Sequence, residues 1–330
     1  MDRWWCTHPL SIASTTRGLY AAPALSSPST TAAAPASADA PRVISLSDLA
    51  LVLVVIIWGT NYTVVKEALG SFPPLAFMAL RFAIAAAAMA VVLHTREGWK
   101  PLPRSTLLKL VGLGFVGNTL YQVCFIMGLA HTTAANSGML AAGTPALTAL
   151  LGAVLGVDRL SRPLAMGLAL AVPGMLLIVS ARGPELDAAT RQGDFLILGA
   201  SLCWALYTVG IRSLGAELSA LRITALTMLT GAPGVILMGL PSVMELKVES
   251  IGPGAWFGLV YSALIPLVLA YVVWSRSVQA VGSSRTAIYN SGTPVVAAVT
   301  AWLVRGEQPT GLQIAGAVLV ICGVLVSRRR

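Results

Sequence analysis

From Gly143 to Asp158 the chain reads GTPALTALLGAVLGVD, and 149 residues later, from Gly292 to Glu307, it reads GTPVVAAVTAWLVRGE. Gly143-Thr144-Pro145 thus aligns with Gly292-Thr293-Pro294 and Asp158 with Glu307. The same offset, without a gap, pairs Gly167 with Gly316 and Gly174 with Gly323. Earlier in each copy, Trp58 is followed by Lys66 and Trp204 by Arg212, both at a spacing of eight. The chain holds two diverged copies of one unit.

Both copies are apolar almost throughout. A chain of 330 residues that is 56% hydrophobic and 11% charged has more apolar surface than one soluble core can hide, so the bilayer is its solvent. Ten apolar runs are expected to cross it, over 49–68, 75–93, 107–130, 134–157, 164–180, 194–213, 220–240, 254–276, 284–305 and 310–326. Each has the length a crossing helix needs, about 17 to 25 residues. The runs lack the period-2 alternation of a barrel wall. The expected fold class is an all-α polytopic membrane protein whose ten transmembrane helices form two inverted five-helix repeats, 45–182 and 190–330. Five is odd, so the second copy enters the membrane upside down relative to the first, and inverted repeats of this kind build a cavity at their interface near the bilayer midplane.

Orientation follows from the cations. With the N-terminus inside, 16 of the 22 Lys and Arg are cytoplasmic, five (Lys66, Arg182, Arg191, Lys247 and Arg305) are on the other side, and Arg81 lies within the second span. That bias places both termini in the cytoplasm of a multi-pass protein of the cell membrane, the inner membrane in a bacterium. The formal net charge of +9 reports this topology and attraction to anionic lipid; the cations form no stripe, so nucleic acid is not an expected partner. Residues 1–44, rich in Ala, Ser, Thr and Pro, are expected to be a disordered tail, with a targeting segment or an over-extended start as alternatives. Cys6, Cys124, Cys203 and Cys322 are far apart in sequence and form neither a disulfide framework nor a zinc spacing.

Between Leu49 and Val326 the residues resemble the drug/metabolite transporter superfamily, and within it the ten-helix EamA group. The matching features are Trp58-Gly59-Thr60-Asn61 with Lys66, Pro74 followed by Arg81-Phe82, the two Gly-Thr-Pro elements, and Gly306-Glu307-Gln308-Pro309-Thr310 running through Gln313, Gly316 and Gly323. Asp158 and Leu164 depart from the Glu and Gln usual in the family's first repeat. The resemblance implies export or exchange of small polar metabolites, with helices 1 to 4 and 6 to 9 around the cavity and helices 5 and 10 peripheral.

Several motifs have plainer explanations. Gly112-Leu113-Gly114-Phe115-Val116-Gly117 spells a dinucleotide fingerprint but follows no strand and has no acidic residue between Glu97 and Asp158, so it is read as close helix packing. Asn61-Tyr62-Thr63 spells a glycosylation sequon inside the first span, out of reach. Pro145 and Pro294 remove backbone donors near the centres of helices 4 and 9, which suggests paired hinges or, more simply, tolerated membrane prolines. Thr144 and Thr293 either bond freed carbonyls or face substrate.

The candidate substrate-binding residues are the polar and aromatic groups at midplane depth: Trp58, Asn61, Tyr62, Arg81, Asn118, Tyr121, Gln122, Trp204, Tyr207, Tyr271, Tyr289 and Asn290. Asn and Gln at that depth are expected to face the bundle, for structure or for substrate. Arg81, about 9 Å into its helix at the helical rise, either snorkels to the interface or anchors a carboxylate or phosphate. No Asp or Glu falls in the middle of an expected span; Glu67 and Asp194 are placed at helix ends. A buried proton-exchanging carboxylate is therefore not expected, and proton coupling is left open beside facilitated export or exchange. The expected function is alternating-access export or exchange of small polar metabolites, amino acids or related carboxylates first, with multidrug or other metabolite efflux as the alternative. A membrane-embedded enzyme is the alternative of another class, but no catalytic cluster, metal set or cofactor motif is visible. The expected partners are a small-molecule substrate and the bilayer; oligomeric state is left open, a monomer included.

Overall fold

In hydrocarbon every backbone N–H and C=O has to be paired within the protein, so continuously apolar runs fold as helices. The structure, a computed structural model, describes residues 46–156, 161–180, 188–212, 214, 218–281, 289–290 and 292–326, and among these no strand occurs. Ten helical stretches follow one another. They are α1 (Leu46–Ala68), α2 (Pro74–Arg96), α3 (Arg104–His131) and α4 (Ala134–Val154), and α5 (Arg162–Ser180). The second set is α6 (Ala188–Arg212), α7 (Ala220–Met244), α8 (Pro253–Ser262 continuing through Ala270–Val281), α9 (Thr293–Arg305) and α10 (Gly311–Val326).

Eight of these, α1 to α8, are long and apolar enough to cross a membrane; α9 and α10, of 13 and 16 residues, are shorter. Of the ten expected crossings, eight correspond to helices of crossing length among the described residues, while α9 and α10 are shorter apolar helices. Much of the run ahead of α9 lies outside the described residues, as do the 1–44 tail, Asp158, Arg182 and Arg285.

Two helices carry paired irregularities that the apolar pattern hides. In α3 a π-helical turn runs over Phe115–Leu120, and in α8, its repeat counterpart, another runs over Ala263–Leu269 and contains Pro266. Helix α4 is broken at Ala142 and Gly143 into Ala134–Ala141 and Thr144–Val154. Pro145 is therefore not at the centre of a continuous helix. It is the second residue of the lower segment, where its missing N–H costs no intrahelical bond. Pro294 holds the same place in α9. Thr144 donates to the Ala141 carbonyl at 2.7 Å, repairing one backbone group at the break.

The inverted symmetry is written in the glycines. A Cβ on Gly174 would lie 2.7 Å from the Gly316 carbonyl, one on Gly316 would lie 2.7 Å from the Gly174 carbonyl, and one on Gly323 would lie 2.5 Å from the Gly167 carbonyl. Gly167 and Gly316 are repeat equivalents, as are Gly174 and Gly323. Each glycine meets the equivalent of its own neighbour, as a two-fold relation between α5 and α10 requires. The same device closes α1 on α9, where Gly59 meets Val296 and Thr63 Oγ1 lies 3.2 Å from Thr300 Oγ1. It also seats α3 on α7, where Gly231 meets Gly114. Gly114 and Gly117 of the apparent dinucleotide fingerprint thus serve helix packing, Gly117 lying under the ring of Tyr207.

Candidate functional site

The helices line a central cavity. Its lining comes from α1, α2, α3, α4, α6, α8, Asn290 and the start of α9. Helix α7 contributes no lining residue and packs behind α2 and α3 through Gly239 against Leu75 and Gly231 against Gly114. This corrects the expectation that all of helices 6 to 9 surround the cavity.

Among the described residues, Arg81 is the one cation of the lining and no carboxylate lines the cavity. Its side chain is only 2% exposed, so it points into the bundle and not up to the interface. A charged residue at mid-helix costs roughly 2.5–3.5 kcal/mol when it faces lipid, and the interior site avoids that. Pro266 sets the geometry that receives it. Lacking an N–H, Pro266 leaves the Ser262 carbonyl without its i+4 donor, and Arg81 Nε donates to that oxygen at 3.2 Å. Arg81 Nη1 donates to Gln122 Oε1 at 3.3 Å, and the guanidinium lies 5.9 Å from the Phe125 ring centre. These partners are neutral, so they orient the charge without neutralising it. Asn61 Oδ1 and Gln122 Nε2 are buried and make no hydrogen bond among the described residues. An unmet buried polar atom costs about 1–3 kcal/mol, which favours a ligand that supplies polar groups at these points.

Aromatic rings form a cluster in the same lining. Trp58 and Trp204, the repeat equivalents, meet edge to face with centroids 6.1 Å apart, and Tyr271 stands 6.0 Å from Trp58 and 5.3 Å from Trp204. Tyr121 closes the group, 5.3 Å from Trp204 and stacked on Phe125 at 5.8 Å. Trp58 is pinned by its Nε1–H, which donates to the Pro266 carbonyl at 3.2 Å.

Nine of the twelve candidates line this one cavity: Trp58, Asn61, Tyr62, Arg81, Tyr121, Gln122, Trp204, Tyr271 and Asn290. Three do not. Asn118 is buried in the α3–α7 contact beside Gly231. Tyr207 points its hydroxyl at Thr227 Oγ1, 3.1 Å away, and lays its ring on Gly117. Tyr289 donates its hydroxyl to Asp48 at 2.7 Å. All three met the depth criterion but face neighbouring helices, because depth along a helix says nothing of its azimuth. Of the two candidate hinge prolines, Pro294 lines the cavity and Pro145 does not. Phe125, Ser201 and Pro266 line it and were missed; a proline at mid-span was the available signal for the last.

The expectation of no buried acid is also corrected. Asp48 is 7% and Asp194 0% exposed. Helix α6 begins at Ala188, six residues before the expected span, so Asp194 is within the helix and not at its end. Cys124 and Cys203, distant in sequence, place their thiols within hydrogen-bond reach where α3 meets α6.

The family model described as the EamA-like transporter family matches residues 45–180 and again 191–329. The chain belongs to this family. It is 30% identical over 272 residues to the uncharacterized transporter YyaM of Bacillus subtilis (strain 168), covering 82% of this chain and 89% of that one. It is 28% identical to a "Probable terminal-alkyne amino-acid exporter" of Streptantibioticus cattleyicolor, covering 85% of this chain and 93% of the relative. A "Probable amino-acid metabolite efflux pump" of Salmonella typhimurium is 27% identical, with 83% and 92% covered. A crystal structure of a protein 20% identical to this one superposes with a TM-score of 0.62 over 86% of this chain and 99% of that chain, which shows the shared fold. The EamA-like protein is thus a multi-pass membrane protein of a transporter family with two family repeats.

Proposed function

We propose that this protein exports or exchanges small carboxylate-bearing metabolites, amino acids among them, by alternating access, and that its twelve candidate residues divide between the substrate site and its support. The observation that carries this reading is Arg81: a fully charged fork, 2% exposed, at the wall of a cavity whose described lining holds no carboxylate. A carboxylate accepts two parallel N–H bonds from such a fork. Asn61 Oδ1 and Asn290 offer amide groups beyond it, and Trp58, Trp204 and Tyr271 accept an apolar or aromatic side chain. The amino-acid exporters and efflux pumps among the relatives support the same substrate class. Lipophilic cations, the multidrug alternative, meet no neutralising charge there and are poorer substrates.

In this reading all ten helical stretches cross the membrane, in repeats bounded near 45–182 and 190–330, with both termini and the loop from His94 to Thr106 in the cytoplasm. A cysteine placed in that loop is labelled by an impermeant reagent only from the cytoplasmic side. The substrate class is tested in proteoliposomes with a panel of amino acids and an organic cation. Arg81→Gln lowers amino-acid transport by about 30-fold or more, the scale for truncating one partner of a buried charge pair, and Arg81→Lys lowers it less. Undiminished amino-acid transport by folded, inserted Arg81→Gln protein removes the carboxylate assignment.

A further inference from the structure

Trp58 and Trp204 are 146 residues apart, as are Lys66 and Arg212; the same offset pairs Asp48 with Asp194. These two aspartates lie in the N-terminal part of α1 and α6, buried at 7% and 0%, and the inversion of the repeats puts them at opposite ends of the bundle. Each is held by the fourth helix of the other repeat, or by the residues just ahead of it. Asp194 of α6 accepts from Asn136 of α4 and, at 2.6 Å, from Thr132 just ahead of α4. Asp48 of α1 accepts from Tyr289, ahead of α9, at 2.7 Å.

The elements so held are those that must move if the cavity is to open. Helix α4 is broken at Ala142–Gly143, and its upper half, Ala134–Ala141, carries the lining residues Gly138 and Ala141. That half is gripped from the second repeat at three points. Asp194 holds Asn136, Gln313 Nε2 of α10 donates to Asn136 Oδ1 at 3.2 Å, and Glu307 accepts from the backbone N–H groups of Ala134 and Ala135. Arg305 bonds both Glu307 and Glu67 and so ties the end of α1 into the same grip. At the other end, Asp48 and Tyr289 fasten the start of α1 to the chain just ahead of the Gly-Thr-Pro element of α9.

We infer that Asp48 and Asp194 are the paired latches of two gates, one at each end of the cavity, each closed when its carboxylate holds the fourth helix of the opposite repeat or the residues just ahead of it. Both are made in this structure, so alternating access releases one latch while the other stays closed. A hydrogen bond to a charged group contributes about 1.5–3 kcal/mol, enough to bias a two-state gate and weak enough to be released in a cycle. The inference rests on the alternating-access reading above.

The test is sided labelling of one cysteine inside the cavity. Cys6, Cys124, Cys203 and Cys322 are replaced by Ser, Ala141→Cys is introduced, and a membrane-impermeant methanethiosulfonate is applied to right-side-out and inside-out vesicles. Asp194→Asn is expected to raise labelling about tenfold from the end where α6 begins. Asp48→Asn raises it by a similar factor from the end where α1 begins, and each leaves or lowers the rate from the opposite end. Asn136→Ala, which removes the donor and spares the carboxylate, reproduces Asp194→Asn; should Asp194→Asn fail to insert, this variant carries the test. Parent protein labelled from both sides, with a side ratio unmoved by any of the three, overturns the latches and leaves the transport reading standing. Parent protein labelled from one side only overturns alternating access itself. A merely structural role opens both sides alike and also overturns the inference.

Discussion

The α5–α10 seam and the central cavity are both built across the repeat interface, yet they treat the symmetry oppositely. At the seam, Gly167 meets Gly323 and Gly174 meets Gly316, so equivalent residues do equivalent work. In the cavity the first repeat supplies Asn61, Arg81 and Gln122, while the second supplies Pro266, Tyr271 and Asn290. Helix α7, the counterpart of α2, has no charged residue between Arg222 and Glu245, so Arg81 has no symmetric twin. A seam needs only close backbones, and duplication provides them twice over. A site that binds a small asymmetric solute gains nothing from a second copy of its anchor, and a second unpaired cation would add desolvation cost.

That contrast has consequences that separate folding from transport. The largest effect is expected at the seam: Gly174→Leu or Gly316→Leu drives a side chain into a backbone carbonyl and costs roughly 1–3 kcal/mol or more. The loss is read as lower thermal stability in detergent and less inserted protein. The two variants should be alike in size and the double variant less than additive, because both disturb one contact. Arg81→Gln should do the reverse, sparing stability while transport falls.

An intermediate effect is expected at the helix breaks. Replacing Pro145 and Pro294 together by Ala should slow turnover more than it weakens binding, because both residues favour the start of a helical segment. Pro294→Ala alone should exceed Pro145→Ala alone, since only Pro294 lines the cavity. Equal single effects on transport would erase the distinction between cavity and scaffold at these sites.

The smallest effect concerns the tryptophan pair. Trp58→Phe loses the hydrogen bond to the Pro266 carbonyl, about 1 kcal/mol, and should lower apparent substrate affinity several-fold. Trp204→Phe keeps most of the edge-to-face packing and should change it less. Identical affinities in the two variants would place them with the seam, as symmetric packing.

Much of this was legible in the chain. Apolar run length is set by the bilayer, so the helices could be counted from hydropathy, with the shortfall confined to α9 and α10. The Gly-Thr-Pro repeat marked two equivalent irregular sites, but it read as kinks near helix centres where each in fact opens a helical segment, and the glycine register paired positions without showing that α5 packs on α10. Depth along a helix located nine lining residues, but Asn118, Tyr207 and Tyr289 lie at the same depth and point elsewhere. Asp194 was misplaced because hydropathy marks where apolar residues start, whereas the helix begins earlier, among polar residues that other helices then cover.

The amino-acid sequence by itself determined the apolar surroundings, the helical class and the duplication, since each is a matter of composition, length or repetition. Only the tertiary structure decided which side chains face the cavity, that Pro266 frees a carbonyl for Arg81, and that Asp48 and Asp194 hold opposite ends. Those relations join residues such as Arg81 and Ser262, which are 181 positions apart. They depend on the rotation of one helix against another, which hydropathy, spacing and charge counts do not encode.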